Sequence, residues 1–293
     1  MNIVIIGPGA IGSLWAYKLS QQHHCISVWA RSNDPLYSIQ LNEHHRIDVP
    51  NQSIQSLIDA DIILVTLKAW QIESVLTPLL DSIPNNIPIV LLHNGMGVID
   101  DLLKLDSDHP FILGTTTHGA HRPNQHHVVH AGHGHTLLGY GNPKANHSSA
   151  LVTSVLDLAL SPVKWVDNIE IPLWDKLAIN CVINPLTALH QCRNGELSKP
   201  YYRQLIALLI EEIVEVMQAE GIMITTSELS NRIYDVIEST AQNLSSMNRD
   251  VFFKNTTEID FITGYLLEKA RKNAIKLPHN TELYRKIKLL NST

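Results

Sequence analysis

The sequence predicts an α/β chain in two parts: a doubly wound, mostly parallel sheet over residues 1–166 and an all-helical domain over residues 167–293. Three observations carry this. The first half alternates short apolar runs with amphipathic stretches, the pattern of a parallel sheet covered by helices on both faces. A glycine-rich turn stands between the first run and the first helix. Beyond about residue 166 the apolar period becomes three to four throughout.

In order, "NIVII" (2–6) reads as a strand, "AIGSLWAYKLSQQ" (10–22) as a helix and "CISVWA" (25–30) as a strand. "DIILVTLK" (61–68), "WQIESVLTPLL" (70–80) and "IPIVLLHN" (87–94) repeat strand, helix, strand. "GVIDDLLKL" (97–105) is a helix and "FILGTTTHG" (111–119) a strand. "HHVVHAGHGHTLLGYG" (126–141) reads as an antiparallel hairpin at the sheet edge. Helices then follow at 169–192, 201–221, 227–244, 258–275 and 280–290.

The bulk properties exclude several classes. With 22 basic and 28 acidic residues the formal net charge is −6, so the chain lacks the basic face of a nucleic-acid binder. The three cysteines, Cys25, Cys181 and Cys192, match no zinc spacing and read as free thiols of a reducing compartment. "MNIVIIG" has no basic leader and its apolar run is too short to span a membrane, so a cytoplasmic location is expected.

"IIGPGAIG" (5–12) places Gly7, Pro8, Gly9, Ala10, Ile11 and Gly12 between a strand and a helix. There the glycines admit a tight turn, a close pyrophosphate and close helix–strand packing, which makes the first domain Rossmann-type. At the end of the second strand, where an acid would hold the ribose hydroxyls of NAD, stands Arg31, with Ser32 as a further donor. A cation there suits the extra phosphate of NADP(H). Such a charge-assisted bond is worth roughly 1.5–3 kcal/mol. The expected cofactor is therefore NADPH/NADP+.

Ligands of open α/β sheets lie beyond the carboxyl ends of strands. Two apolar strands end in polar residues, Lys68 and Asn94, and both are expected to face one crevice. In "WDKLAINCVINPL" (174–186) Lys176, Asn180 and Asn184 recur at i, i+4, i+8, a single stripe on an otherwise apolar helix. Asn is a poor helix-interior residue, so two in line point to a polar ligand. The other reading is an exposed polar face with a kink at Pro185. Reduction of a ketone by hydride leaves charge on oxygen, and a partly desolvated lysine is a suitable acid to quench it. Lys176 is the candidate.

Together "GPGAIG", "VTLKAWQ", "LLHNGMG", "GTTTHGA", "LWDKLAINCVINPLTAL", "CRNGEL", "NLSSM" and "TEID" resemble the ketopantoate reductase (2-dehydropantoate 2-reductase) family, in order and spacing from residue 7 to about 260. The resemblance implies NADPH-dependent reduction of 2-dehydropantoate to (R)-pantoate, on the route to pantothenate and coenzyme A. It implies Lys176 as proton donor and Asn94, Asn180, Asn184, Asn194 and Ser246 as substrate contacts. It implies the glycine turn, Arg31, Lys68, Asn94, Ala120 and Glu258 on the cofactor side. Read alone, Ser246 is equally a turn cap and Glu258 a first-turn acid.

One stretch departs from the family pattern: His118, His121, His126, His127, His130, His133 and His135 crowd residues 118–135. The proposed chemistry needs no metal, and a solvated edge hairpin is expected. Neither nucleic acid nor membrane is an expected partner; a small 2-keto acid is, with the chain a monomer or homodimer. A reductase of another 2-keto acid and a non-catalytic NADPH-sensing regulator are the alternatives.

Overall fold

The computed structural model describes residues 1–105 and 108–291. They form two compact units: Met1–His93 with Val98–Ile169, and Asn94–Gly97 with Glu170–Thr293. The main change of unit falls between Ile169 and Glu170. The short excursion of Asn94–Gly97 into the second unit has no counterpart in the sequence pattern.

The first unit opens with β1 (Asn2–Ile6), α1 (Ala10–Ser20), β2 (Cys25–Trp29), β3 (Leu36–Leu41), β4 (Arg46–Pro50) and α2 (Ile54–Ile58). It continues with β5 (Ile62–Val65), α3 (Ala69–Leu80), β6 (Ile89–Leu92), α4 (Val98–Leu105), β7 (Phe111–Thr116), β8 (Gly119–His121), β9 (His127–Gly132), β10 (Thr136–Tyr140), α5 (Ser149–Ala159) and β11 (Val163–Trp165). The main sheet runs β11-β10-β7-β6-β5-β1-β2, and β2, β1, β5, β6 and β7 are parallel. Its central strands are buried on both faces, as their unbroken Ile/Val/Leu runs require.

The expected hairpin over 126–141 does not form. β10 pairs antiparallel with β7 in the main sheet, whereas β9 joins a second sheet ordered β4-β3-β9-β8. The expected strand over 111–119 likewise splits into β7 and β8. Glycines at 132 and 134 interrupt the run, and each half pairs with a different open edge. Local periodicity carries no information about which edge is free.

Nor is the histidine-rich stretch uniformly solvated. His118 is buried, its Nδ1 accepting from the Gly134 amide at 3.0 Å and lying 3.2 Å from His130 Nε2. Burial and the neighbouring His130, His133 and His135 push it down to about 4. Among the described residues no group of three His, Cys, Asp or Glu is placed to hold a metal ion, and no helix is long and apolar enough to cross a membrane.

The second unit is built on α6 (Glu170–His190), wrapped by α7 (Pro200–Ala219), α8 (Thr226–Ser239), α9 (Ser246–Phe252), α10 (Thr263–Lys272) and α11 (Pro278–Asn291). Its core gathers Leu177, Val182 and Leu186 of α6 with Ile213, Ile233 and Leu266. α6 passes through Pro185 without ending. Just beyond it Thr187 Oγ1 turns back on the carbonyls of Ile183 at 2.7 Å and Asn184 at 3.2 Å. α10 begins at Thr263, so Glu258 lies in the preceding turn and is not a first-turn acid.

Candidate active site

In the first unit the chain leaves β1, turns through Gly7–Gly9 and enters α1 with Gly9 as N-cap. The Gly9 amide donates to Gly7 O at 2.7 Å, and Thr66 Oγ1 donates to the same carbonyl at 2.7 Å. A Cβ on Gly12 would overlap Thr66 Oγ1 and lie 2.6 Å from Gly7 O, so only glycine lets helix and turn close this far. The result is a cradle of free amides at a helix N-terminus, the geometry a pyrophosphate fits.

Arg31 follows β2 and is exposed. Its loop is pinned by the buried Asn51: the Ala30 amide donates to Asn51 Oδ1 at 2.9 Å, and Nδ2 donates to Ser32 O at 2.7 Å and Asp34 O at 2.8 Å. The Ser32 hydroxyl is not the spare donor the sequence suggests, because it bonds the Asp34 carboxylate. Lys68 caps the start of α3, its amide donating to Gln71 Oε1 at 3.2 Å. Ala120 lies on β8 beside a bulge against β9.

In the second unit the stripe on α6 is not an exposed face. Asn184 is 6% exposed, and Lys176 and Asn180 are half-buried. Neither amide side chain hydrogen-bonds another described residue. Burial pushes the Lys176 ammonium down to about 8, while the Glu258 carboxylate pulls it the other way. Glu258 is 3% exposed and accepts from Asn94 Nδ2 at 3.3 Å. Asn94 is held there because Gly95, at φ +84°, presses against Phe261: a Cβ would lie 2.5 Å from Phe261 O. The Met96 amide donates to that carbonyl at 2.9 Å. A lysine poised to lose a proton thus shares a helix face with two amides and the field of a buried carboxylate.

Residues 3–143 match the family described as Ketopantoate reductase PanE/ApbA, and residues 168–291 match Ketopantoate reductase PanE/ApbA C terminal. This chain belongs to the ketopantoate reductase family. It is 43% identical over 293 residues to a 2-dehydropantoate 2-reductase of Vibrio cholerae serotype O1, covering 100% of this chain and 99% of that relative. Two solved structures share the fold. A PanE/ApbA family ketopantoate reductase from Ralstonia eutropha JMP134 has a TM-score of 0.88 at 22% identity, with 100% of this chain and 99% of that one covered. D-mandelate dehydrogenase with NADH and anilino(oxo)acetate has a TM-score of 0.89 at 21% identity, with the same coverage.

The remaining residues expected from the ketopantoate reductase pattern lie around the C-terminal end of α6. Asn194 is buried; its Nδ2 donates to Thr240 Oγ1 at 2.9 Å, and its Oδ1 is buried without a partner among the described residues. Ser246 is exposed in the first turn of α9, whose cap is Ser245, so the turn-cap reading of Ser246 fails. Sequence reasoning missed Asn248. Its Nδ2 donates to Thr187 O at 2.8 Å and Cys192 O at 3.3 Å, its amide donates to Ser245 Oγ at 3.1 Å, and Ser245 Oγ lies 2.7 Å from Thr187 Oγ1. These bonds lock α9, with Ser246, to the turn of α6 that follows Asn184. Asn51 was missed as well; both act through side-chain bonds to distant backbone, and no local pattern marks them.

Proposed function

We propose that this reductase converts 2-dehydropantoate to (R)-pantoate with NADPH, serving pantothenate and coenzyme A synthesis in the cytoplasm. The observation that carries the reading is the Lys176–Asn180–Asn184 stripe, with Lys176 pushed down to about 8. A nicotinamide, when bound, would supply the hydride. Lys176 Nζ gives its proton to the former carbonyl oxygen, a role worth about 10²–10⁴-fold in rate. Asn180 and Asn184 offer amides to the substrate's hydroxyl and carboxylate, Ser246 adds a hydroxyl, and the orphaned Asn194 Oδ1 accepts a hydrogen bond from the substrate. Glu258, held by Asn94, sets the field at the ammonium, and the two would hold the nicotinamide ribose. Arg31, on its Asn51-pinned loop, selects NADPH over NADH.

The test follows NADPH absorbance with 2-dehydropantoate beside pyruvate, oxaloacetate and a simple branched 2-keto acid. Turnover is expected with 2-dehydropantoate first. Lys176→Ala should lose about 10²–10⁴-fold in kcat while binding NADPH unchanged. Preference for another keto acid would reassign the substrate. An undiminished rate in Lys176→Ala would remove that lysine from the mechanism.

A further inference from the structure

The carbonyl oxygen of Pro8, inside the glycine turn, holds more donors than it has lone pairs. Ser13 Oγ donates to it at 2.9 Å, Tyr37 OH at 3.1 Å and Arg122 Nη1 at 3.1 Å. A carbonyl oxygen offers two lone pairs, so one of the three donors is surplus. Ser13 and Tyr37 are buried neutral hydroxyls belonging to α1 and β3. Arg122 differs: it is charged, half-buried and carried by the connection between β8 and β9. Its Nη2 is braced on Gln125 O at 2.6 Å. Among the described residues no carboxylate pairs with it, so a full cation leans on a neutral carbonyl beside a cradle of amides. A guanidinium carries five N–H donors, more than these two bonds use.

We propose that Arg122 is a second cationic contact for the dinucleotide, leaving Pro8 O to close on the pyrophosphate. The proposal rests on the nicotinamide-cofactor reading above. It divides the work between two arginines. Arg31, at the end of β2, reads the phosphate that only NADPH carries. Arg122, at the turn between Gly7 and Gly9, reads the diphosphate that NADPH and NADH share. Its planar fork suits two phosphate oxygens at once.

The experiment titrates the wild type, Arg122→Gln, Arg122→Lys and Arg31→Ala with NADPH and with NADH, reading dissociation constants by calorimetry and folding by thermal melting. Arg122→Gln should weaken both nucleotides by the same factor, roughly ten- to a hundredfold. Arg122→Lys should fall between it and the wild type. Arg31→Ala should instead change the NADPH:NADH ratio. A second readout needs no variant: NADH should protect Arg122 from phenylglyoxal, scored on its peptide by mass spectrometry, and leave Arg31 reactive. Unchanged constants in Arg122→Gln, a loss confined to NADPH, or absence of protection by NADH would each overturn the proposal. A wild type that binds neither nucleotide would bring down the cofactor reading itself.

Discussion

Asn94 and Glu258 meet through one hydrogen bond, Nδ2 donating to Oε2 at 3.3 Å across 164 residues of chain. It fixes a buried carboxylate whose charge raises the proton affinity of Lys176 against the effect of burial. The lysine therefore sits on a balance that a single substitution tips.

Removing the carboxylate charge should move the alkaline limb of the pH–rate profile. With protonated Lys176 as the proposed acid, kcat/KM should fall as pH rises through about 8. In Glu258→Gln the raising influence is gone, and the limb should shift to lower pH whatever happens to its height. Steady-state profiles from pH 6 to about 10 read the shift; a limb that stays in place removes Glu258 from the control of Lys176.

Lys176 should also weaken the fold that carries it. Its proton affinity is lowered from 10.5 to about 8 in the folded chain, so between those values the unfolded chain binds a proton the folded one lacks. Wild-type stability then rises with pH across that window, and below it the burial penalty is present in full. Lys176→Met should lose that rise, so its stability should vary less than the wild type's between pH 8 and about 10. Melting curves at several pH values check it; an equal pH dependence in the variant contradicts it.

Asn248→Ala should loosen the proposed substrate contacts on α9 from those on α6. It strips the donors from Thr187 O and Cys192 O, a loss of about 1–3 kcal/mol in stability. With α9 loosened from α6, KM for the keto acid should rise several-fold while the NADPH dissociation constant holds. Equal changes in both constants would mark a general loss of structure.

Asn51→Ala should blunt the choice between cofactors without touching Arg31. Three bonds to Ala30, Ser32 and Asp34 disappear, and the loop behind the guanidinium relaxes. NADPH affinity should drop by about tenfold, the size of one charge-assisted bond, and NADH affinity much less. An unaltered NADPH:NADH ratio says the loop holds its shape alone.

The sheet centre, the glycine turn and the α6 stripe were legible because each is a local pattern: an apolar run, a strand–turn–helix junction, a period of four. The second sheet was not. β3 pairs in parallel with β9, some 87 residues later in the register Gln40 to His127, and β4 ends in a proline. Such pairing leaves no periodic trace. The same holds for α9, seven residues long and defined chiefly by the Ser245 cap, and for Asn94–Gly97, which changes unit by backbone contact with Phe261. Arg122 and Asn51 were invisible because their partners are carbonyls and amides, which every residue has.

The depressed proton affinity of Lys176 also makes that side chain chemically conspicuous. At pH 8 about half of the folded molecules carry it as a neutral amine, against roughly one in 250 for an ordinary lysine. A sparing dose of a mild acylating reagent should therefore mark this nitrogen ahead of the surface lysines, giving a covalent handle on the enzyme that occupancy by a keto acid would shield.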